Sequence, residues 1–396
     1  MLITADRVLA GPERHLIHDG AVLIRDGVIA CVGPREEVQR RSLPGEPRLA
    51  HPGATLLPGL IDAHVHLCFD AGTDPVATLR GQEDGTLLAD MQRHAEQLLA
   101  AGVTTARDLG DRNHLAIRLS RQITEGAVAG PRIVSAGIPV TPPGGHCWFL
   151  GGEVSGSDAI RALVQRNSAA GAQVIKVMET GGGLTKGGAQ SWETQFAPAD
   201  LAALVDEAHQ AGLPVAAHAH GTDGIVAAVE AGVDTIEHCS WMTATGFEVR
   251  EDVLARIVEK GIRVCPTVSP DWRMLPKAFG AERAEAMFGA VRRMAEAGVR
   301  LIAGTDAGVQ RAGFDGLPTS LGFYEHLGLP AERIIAMATS EAADALGLGD
   351  VTGRITTGHS ADLLVVDGDP LADLAALKSV RTVVAAGKHY QPGRTV

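Results

Sequence analysis

The sequence of 396 residues predicts an α/β fold: a TIM-like (β/α)8 barrel with a small β-sandwich domain formed by both termini. One observation is a unit that recurs six times, an amphipathic helix followed by a glycine and a short apolar strand. A second is a pair of further apolar strands, which completes a set of eight. A third is that both ends of the chain contain short strands without helical periodicity. We therefore expect a composite β domain at residues 1–57 and 352–396 and a barrel at residues 58–351.

The recurring unit ends each helix at a glycine, as in AAGVTTARDLG from residue 100 and QAGLPVAAHAHG from residue 210. Glycine suits this place because the residue after a helix commonly adopts the left-handed conformation. The glycines are Gly102, Gly171, Gly212, Gly232, Gly261 and Gly298. Strands that alternate with helices indicate a parallel sheet with right-handed crossovers.

Two of the preceding segments show the helical periodicity most clearly. One apolar face carries Leu201, Leu204, Val205 and Ala208, and another carries Val253, Leu254, Ile257 and Val258. The strand that ends near His66 and the run PRIVSAGI at residue 131 bring the strand count to eight.

The two ends of the chain contain turn signals instead of helix signals. Asp26-Gly27 separates two apolar runs, AVLIR and VIACVG, and this dipeptide is a strong signal for a type I′ hairpin. The C-terminal runs ADLLVVD and VRTVVAAGK are similar short strands. Because neither end has enough strands to fold alone, we expect both to contribute to one β-sandwich.

Composition narrows the class of protein. A hydrophobic content of 45% and a charged content of 21% are typical of a globular enzyme, and the net charge of -12 disfavours nucleic acid or an anionic membrane as a partner. The start MLITADRVLAG lacks the basic and apolar regions of a signal peptide, and no apolar run reaches the ~18 residues of a membrane span. Five cysteines without a CxxC pair suit a reducing compartment. These features predict a cytoplasmic protein, and they leave a homo-oligomer open.

Polar side chains occur where five of the predicted strands end. His64 and His66 are one residue apart on the first strand, so their side chains point to the same face, and Asp62 shares that face. The other strand-end residues are Lys176, His218, His220, His238 and Asp306. Each alone has an ordinary structural explanation, but in a barrel the carboxyl ends of the strands meet at one face, where the chemistry gathers. We therefore predict a metal site there.

Lys176 is the unusual member of this set. An ammonium buried beside metal cations would be both desolvated and repelled, and both effects lower its pKa. A neutral amine can add carbon dioxide and become a carbamate, an anionic ligand with two oxygens that can bridge two metals. Carboxylation of Lys176 is therefore our hypothesis.

The chain resembles the amidohydrolase superfamily, within it the branch of imidazolonepropionase-like proteins and metal-dependent dipeptidases of the prolidase-like and arginine-carboxypeptidase-like kinds. The resemblance runs over nearly the whole chain. The motifs that carry it are LLPGLIDAHVHL, VIKV, VAAHAHG, IEHCS, AGTDAG and GRITTGHSADLLVVDGDPL.

The resemblance implies a set of roles. It implies that His64, His66 and Asp306 bind one divalent metal, that His218 and His238 bind a second, and that carboxylated Lys176 bridges them. His220 stands where the dipeptidases often have a tyrosine that meets the substrate carboxylate, so it is a substrate-binding candidate and a competitor of His218 as ligand. His146, in PPGGHCW, is implied to contact the scissile carbonyl or its oxyanion.

The resulting hypothesis is a binuclear hydrolase that cleaves an amide or peptide bond in a dipeptide or an N-acyl amino acid. A metal-bridging hydroxide would attack the carbonyl, with Asp306 as general base and then general acid. Zinc suits histidine and carboxylate ligands, and manganese or cobalt are substitutes. The expected partner is a small molecule with a carboxylate, for which Arg273 or Arg311 is a candidate contact, although a solvated surface role is the more common one for either residue.

Three alternatives remain at this point. A mononuclear deaminase or ring-opening enzyme would share the HxH motif and Asp306 but would not need Lys176. A cyclic amide, lactone or ester hydrolase would use the same binuclear site. A non-catalytic scaffold derived from the barrel would be expected to have lost ligands, and here each expected position is filled.

Overall fold

A computed structural model describes residues 1–11 and 15–391 of the chain. The strands are β1 (Leu2–Ala10), β2 (His15–Arg25), β3 (Val28–Pro34), β4 (Arg48–Pro58), β5 (Leu60–Val65), β6 (Val103–Asp108), β7 (Arg132–Ser135), β8 (Ile175–Met178), β9 (Val215–Gly221), β10 (Thr235–Met242), β11 (Arg263–Cys265), β12 (Arg300–Leu301), β13 (Leu363–Asp367), β14 (Val380–Ala385) and β15 (Lys388–Tyr390).

The helices lie mainly between strands β5 and β13. They are α1 (Arg35–Gln39), α2 (Pro75–Gly81), α3 (Asp84–Ala100), α4 (Leu115–Thr124), α5 (Ser157–Ala170), α6 (Pro198–Gln210), α7 (Thr222–Ala231), α8 (Glu251–Lys260), α9 (Leu275–Phe279), α10 (Ala281–Glu296), α11 (Leu317–Ser320), α12 (Gly322–His326), α13 (Ala331–Met337) and α14 (Ser340–Ala345).

The eight strands predicted for the central region are all present, and they form two parallel sheets. One sheet has the order β5-β6-β7 and the other β12-β11-β10-β9-β8. The fold is thus α/β with parallel strands, as the alternation of helices and strands predicted. The assignment of strands to two sheets differs from the single ring of eight that the sequence predicted, because the residues that join the two sheets pair only through single bridges.

Those single bridges lie at both pairs of sheet edges. Val140, which follows β7, pairs with Val177 of β8, and Val65 of β5 pairs with Ala307, which follows β12. Backbone hydrogen bonds accompany them, including one of 2.8 Å from the amide of Asp306 to the carbonyl of His64.

Both ends of the chain contribute to one seven-stranded sheet with the order β15-β14-β13-β4-β1-β2-β3. The predicted hairpin is confirmed, since β2 and β3 are antiparallel and Asp26 and Gly27 both have positive φ. The two layers of the predicted sandwich are not separate sheets here. Strand β4 of this sheet continues directly into β5 of the central region through Gly59. Glycine is needed there because a Cβ atom would lie 2.1 Å from the Thr104 hydroxyl.

The helices bury the faces that the sequence predicted. Leu201, Leu204 and Val205 of α6 are buried, and all six unit-ending glycines have positive φ. Val258 differs from the prediction: it is 41% exposed although its neighbour Ile257 is buried, because it lies about 140° around the helix from Val253, at the edge of the apolar face. Among the described residues, we find no helix with the combined length and apolar character that crossing a membrane requires.

Candidate metal centre

His64, His66 and Asp306 converge on one point at the carboxyl ends of β5 and β12. The Nε2 atoms of the two histidines are 3.3 Å apart, and they lie 3.3 and 3.5 Å from Oδ1 of Asp306. His64 is fully buried, and the Asp306 side chain is 21% exposed. The same-face geometry predicted for the HxH motif is therefore present, and it brings three potential ligand atoms together.

Asp62, the third residue on that face of the strand, does not join the cluster. Its carboxylate accepts hydrogen bonds from the amide of Thr305 at 3.0 Å and from the Thr305 hydroxyl at 2.6 Å. Asp62 thus ties β5 to the segment after β12 and positions the neighbouring Asp306.

A second group of imidazoles lies beside the first. The rings of His220 and His238 are stacked with centroids 4.2 Å apart, and the His218 ring lies 4.6 Å from that of His238. One ligand atom from each of these three histidines falls within 4.8 Å of the others. A further set within the same limit joins His64 and His238 to Asp306, so the two groups are contiguous.

Outer hydrogen bonds set the tautomers of four of these histidines. His64 Nδ1 donates to the Glu237 carboxylate at 2.8 Å, and His66 Nδ1 donates to the Gly110 carbonyl at 3.2 Å. His218 Nε2 donates to the Gly181 carbonyl at 3.0 Å. His238 Nδ1 donates to the Thr267 hydroxyl at 2.5 Å, since that hydroxyl already donates to the Pro266 carbonyl. Each ring therefore keeps its other nitrogen as a lone-pair donor, as metal-binding histidines do.

Glu237 is the residue that the sequence analysis missed. Its carboxylate accepts from His64, from Arg107 Nη2 at 2.7 Å and from the Thr235 hydroxyl at 2.5 Å, in a region closed to solvent. The only signal in the sequence was an acidic residue next to His238 in IEHCS. Alternation along a strand would place residues 237 and 238 on opposite faces, but His238 has a φ of 68°, which breaks the alternation.

Backbone conformations outside the usual regions occur at several site residues. Besides His238, Thr267 and Asp306 have positive φ values of 52° and 61°. Non-glycine residues adopt this conformation at an energetic cost, and such residues concentrate at functional sites. The turn containing Asp306 also requires Gly304, where a Cβ atom would lie 2.5 Å from the sulfur of Cys265.

Lys176 lies at the centre of β8 with its side chain completely buried. Its Nζ atom has no hydrogen-bond partner among the described residues. Burial lowers the pKa of this amine to about 8, with the nearby carboxylates of Glu237 and Asp306 opposing the shift. A buried amine without a partner is costly, so the position calls for a group that the polypeptide does not supply.

Burial also keeps the imidazoles neutral. It lowers the pKa of His66 to about 3 and of His220 to about 4, and it holds the pKa values of His64, His218 and His238 well below their ordinary range. Neutral imidazole is the form that binds metals. For Asp306, burial raises the pKa to about 6, with Lys176 opposing the shift.

His146 lies beside the second group of imidazoles. Its ring is 4.6 Å from that of His218, and it lines a cavity of about 310 Å³ together with Lys176, His220 and Asp306. The glycine run after β8 permits this approach, because a Cβ atom on Gly182 would lie 2.5 Å from the His146 ring. The close approach of the His146 ring is therefore the structural reason for a glycine at position 182.

Arg311, predicted as a contact for a substrate carboxylate, is not brought to the cluster. The residue is exposed, and it is not among the residues that line the central cavity. Arg273, the other candidate, lies over the Trp272 ring at 4.2 Å.

Comparison with known proteins identifies relatives over almost the full chain. A profile of the amidohydrolase family matches residues 55–389. The ochratoxinase of Aspergillus niger is 28% identical over 430 residues, which cover 95% of this chain and 84% of that protein. An imidazolonepropionase of Mesorhizobium japonicum is 26% identical, with 91% of this chain and 89% of that protein covered.

Solved structures give a consistent result. A Xaa-Pro dipeptidase with methionine bound in its active site superimposes with a TM-score of 0.86 at 29% identity, covering 98% of this chain and 99% of that one. The A. niger ochratoxinase structure has a TM-score of 0.85 at 26% identity, covering 99% of this chain and 96% of that one.

Proposed function

Since the chain belongs to the amidohydrolase family and is a metal-dependent hydrolase of C–N bonds, we propose that it cleaves an amide or peptide bond in a dipeptide or N-acyl amino acid with two divalent metal ions. The observation that carries the binuclear proposal is the buried amine of Lys176, which has no hydrogen-bond partner within residues 1–11 and 15–391 and lies beside five histidines and Asp306. A carbamate on this amine would offer two oxygen atoms, one to each of two ions.

The residues present fit such a centre. One ion would be held by His64, His66 and Asp306. The other ion would be held by His218 and His238. Lys176, carboxylated by CO₂, would be a ligand of both ions. His220 presents a further ring nitrogen close to His218 and His238, so it is either a substrate contact or an alternative ligand. The nitrogen and oxygen donors suit zinc best, with manganese or cobalt as substitutes.

When bound, the metals would lower the pKa of a water molecule and polarise the scissile carbonyl. Asp306 takes the proton of the attacking water and passes it to the departing amine, a role in which a carboxylate suits both steps. His146 donates a hydrogen bond to the carbonyl oxygen as negative charge develops on it.

The relatives support an amide substrate next to a carboxylate. One is a Xaa-Pro dipeptidase with a bound amino acid, and two others are an ochratoxinase and an imidazolonepropionase. A cyclic amide substrate is the second candidate, favoured by the imidazolonepropionase relative.

We also propose that the two parallel sheets are parts of one closed (β/α)8 barrel at residues 58–351. The bridges from Val65 to Ala307 and from Val140 to Val177 support closure. For residues 1–57 and 352–396 we propose a two-layered sandwich. Its support is that the turns of the two outer hairpins touch, since a Cβ atom on Gly387 would lie 2.4 Å from Gly27.

The test is a library of dipeptides and N-acyl amino acids, screened with protein that has been stripped of metal and reconstituted with zinc or manganese. We expect turnover of amides with a free carboxylate, two metal ions per chain, and loss of turnover in Asp306→Asn. A matched control is Asp315→Asn, an exposed aspartate in the same region of the chain.

Hydrolysis of lactones or cyclic imides, without turnover of any linear amide, would overturn the substrate class. Full activity with one ion per chain would overturn the binuclear centre. Native mass spectra of the wild type should show a carbon dioxide adduct that Lys176→Met lacks. Absence of this adduct from the wild type would overturn the carbamate.

A further inference from the structure

A second cavity adjoins the metal centre on the side of β10 and β11. It has a volume of about 170 Å³, and His238 lines both this cavity and the central one. Pro266, Thr267 and Val268, which directly follow β11, form part of its wall. Thr267 also binds Nδ1 of His238. The cavity therefore opens beside a predicted ligand, at the carboxyl ends of the strands.

The rest of the wall is mostly apolar and aromatic. The rings of Trp272, Phe288 and Phe323 contact one another edge to face, with centroids 5.1 to 6.2 Å apart. Leu275 and Val291 complete this side. An engineered apolar cavity of about 150 Å³ remains dry and binds benzene, so a space of this size accepts a phenyl ring.

The segment that covers the cavity exposes apolar side chains. Met274 and Phe279 are 45% and 55% exposed, and both lie in the segment of a short 3-10 turn and α9 that also carries Trp272 and Leu275. Binding pockets for small molecules are lined mainly by apolar and aromatic side chains with a few polar groups. The lining of this cavity, its position beside His238 and its cover with exposed apolar groups therefore suit an apolar group of a bound ligand.

We propose that this cavity is the subsite for an apolar side chain, up to the size of a benzyl group, on the substrate residue that flanks the scissile amide. The inference rests on the proposed amide hydrolysis and specifies its substrate class. Two polar residues of its wall lie on the side of the metal centre, since the Ser240 hydroxyl is hydrogen-bonded to His220 at 2.9 Å and the Thr267 hydroxyl to His238 at 2.5 Å. The backbone of the substrate would therefore remain at the centre while the side chain enters the cavity.

The first test compares kcat/KM for Ala-X and X-Ala dipeptides in which X is alanine, leucine or phenylalanine. In one of the two series, we expect phenylalanine to exceed alanine at least about tenfold, the lower limit for a group that fills an apolar pocket. Ala290→Leu, which fills the cavity from α10, should reduce this ratio about tenfold. Ala295→Leu is the matched control, since Ala295 is half-buried on the same helix and does not line the cavity.

A second variant covers the case in which Ala290→Leu does not fold. Phe288→Ala enlarges the cavity, and it should shift the preference from phenylalanine toward naphthylalanine. A readout independent of catalysis is toluene binding: toluene should raise the melting temperature of the wild type and of Ala295→Leu, but not that of Ala290→Leu.

The outcomes separate this inference from the proposed function. Amide hydrolysis with equal kcat/KM for alanine and phenylalanine substrates, or a ratio that Ala290→Leu leaves unchanged, overturns the subsite and leaves the hydrolase. The absence of any amide turnover overturns the proposed function, whereas toluene binding that is lost only in Ala290→Leu would still support the cavity as an apolar binding site.

Discussion

Glu237 provides the sharpest test of how the candidate centre is held together. In Glu237→Gln, the carboxylate that accepts from both His64 and Arg107 becomes a neutral amide. His64 then loses the charged acceptor that sets its tautomer, and loss of such an outer partner typically reduces metal affinity about 10–100-fold. This corresponds to about 1.4–2.8 kcal/mol of binding free energy.

The same change also affects the metal-free protein. The Arg107 side chain is 3% exposed, and breaking a buried ion pair costs about 3–5 kcal/mol. Arg107 keeps neutral acceptors at the Ala63 carbonyl and the Thr235 hydroxyl, at 2.7 and 3.1 Å, so we expect the lower end of that range.

Two assays separate these effects. Competition with a chromophoric chelator measures metal affinity, and urea unfolding of the metal-free protein measures the free energy of unfolding. The matched control is Glu259→Gln, the same chemical change at an exposed position of α8. If Glu237→Gln matched this control in both assays, the hydrogen-bond network around His64 would have no energetic role and our reasoning would be refuted.

Three further outcomes are expected. Gly182→Ala should displace the His146 ring, so steady-state kinetics should show a reduction of kcat of about 10²–10³-fold, while atomic emission shows unchanged metal content. An unchanged kcat would exclude the contact between His146 and the oxyanion. Lys176→Met should lower metal content, yet leave the melting temperature of the metal-free protein equal or higher, because it removes a buried amine that has no partner among the residues the structure describes; a large drop in melting temperature would contradict this. The carboxyl of Glu179 is buried without a hydrogen-bond partner among the described residues, and burial raises its pKa from 4.5 to about 8, so between these pH values it keeps a proton that the unfolded chain loses. The unfolding free energy of the metal-free protein should therefore fall as the pH rises from 4.5 to about 8. Glu179→Gln should flatten this fall in urea titrations, and parallel profiles of the two proteins would refute the assignment.

Local patterns in the sequence predicted most of the secondary structure. All eight central strands, the hairpin at Asp26-Gly27 and the left-handed glycines depend on interactions between near neighbours, which the order of residues reveals directly. The HxH motif is another such case, since alternation along a strand places His64 and His66 on the same face without any knowledge of the fold.

Contacts that depend on another segment of the chain were harder to predict from the sequence. Arg311 was predicted from its position after a strand; the residue is exposed and does not line the central cavity, and its contact with a substrate remains a prediction. Glu237 was missed because its partners, His64 and Arg107, are 173 and 130 residues away in the chain.

The sequence by itself determined which side chains are available at the strand ends and that they suit a metal-dependent amidohydrolase. Only the tertiary structure decided which nitrogen is free in four of the imidazoles, that Lys176 Nζ has no hydrogen-bond partner in the part of the chain that the structure describes, and that an aromatic cavity lies beside His238. The physical reason is that tautomers, desolvation and cavity shape arise from atoms brought together by folding, over distances along the chain that local periodicity does not encode.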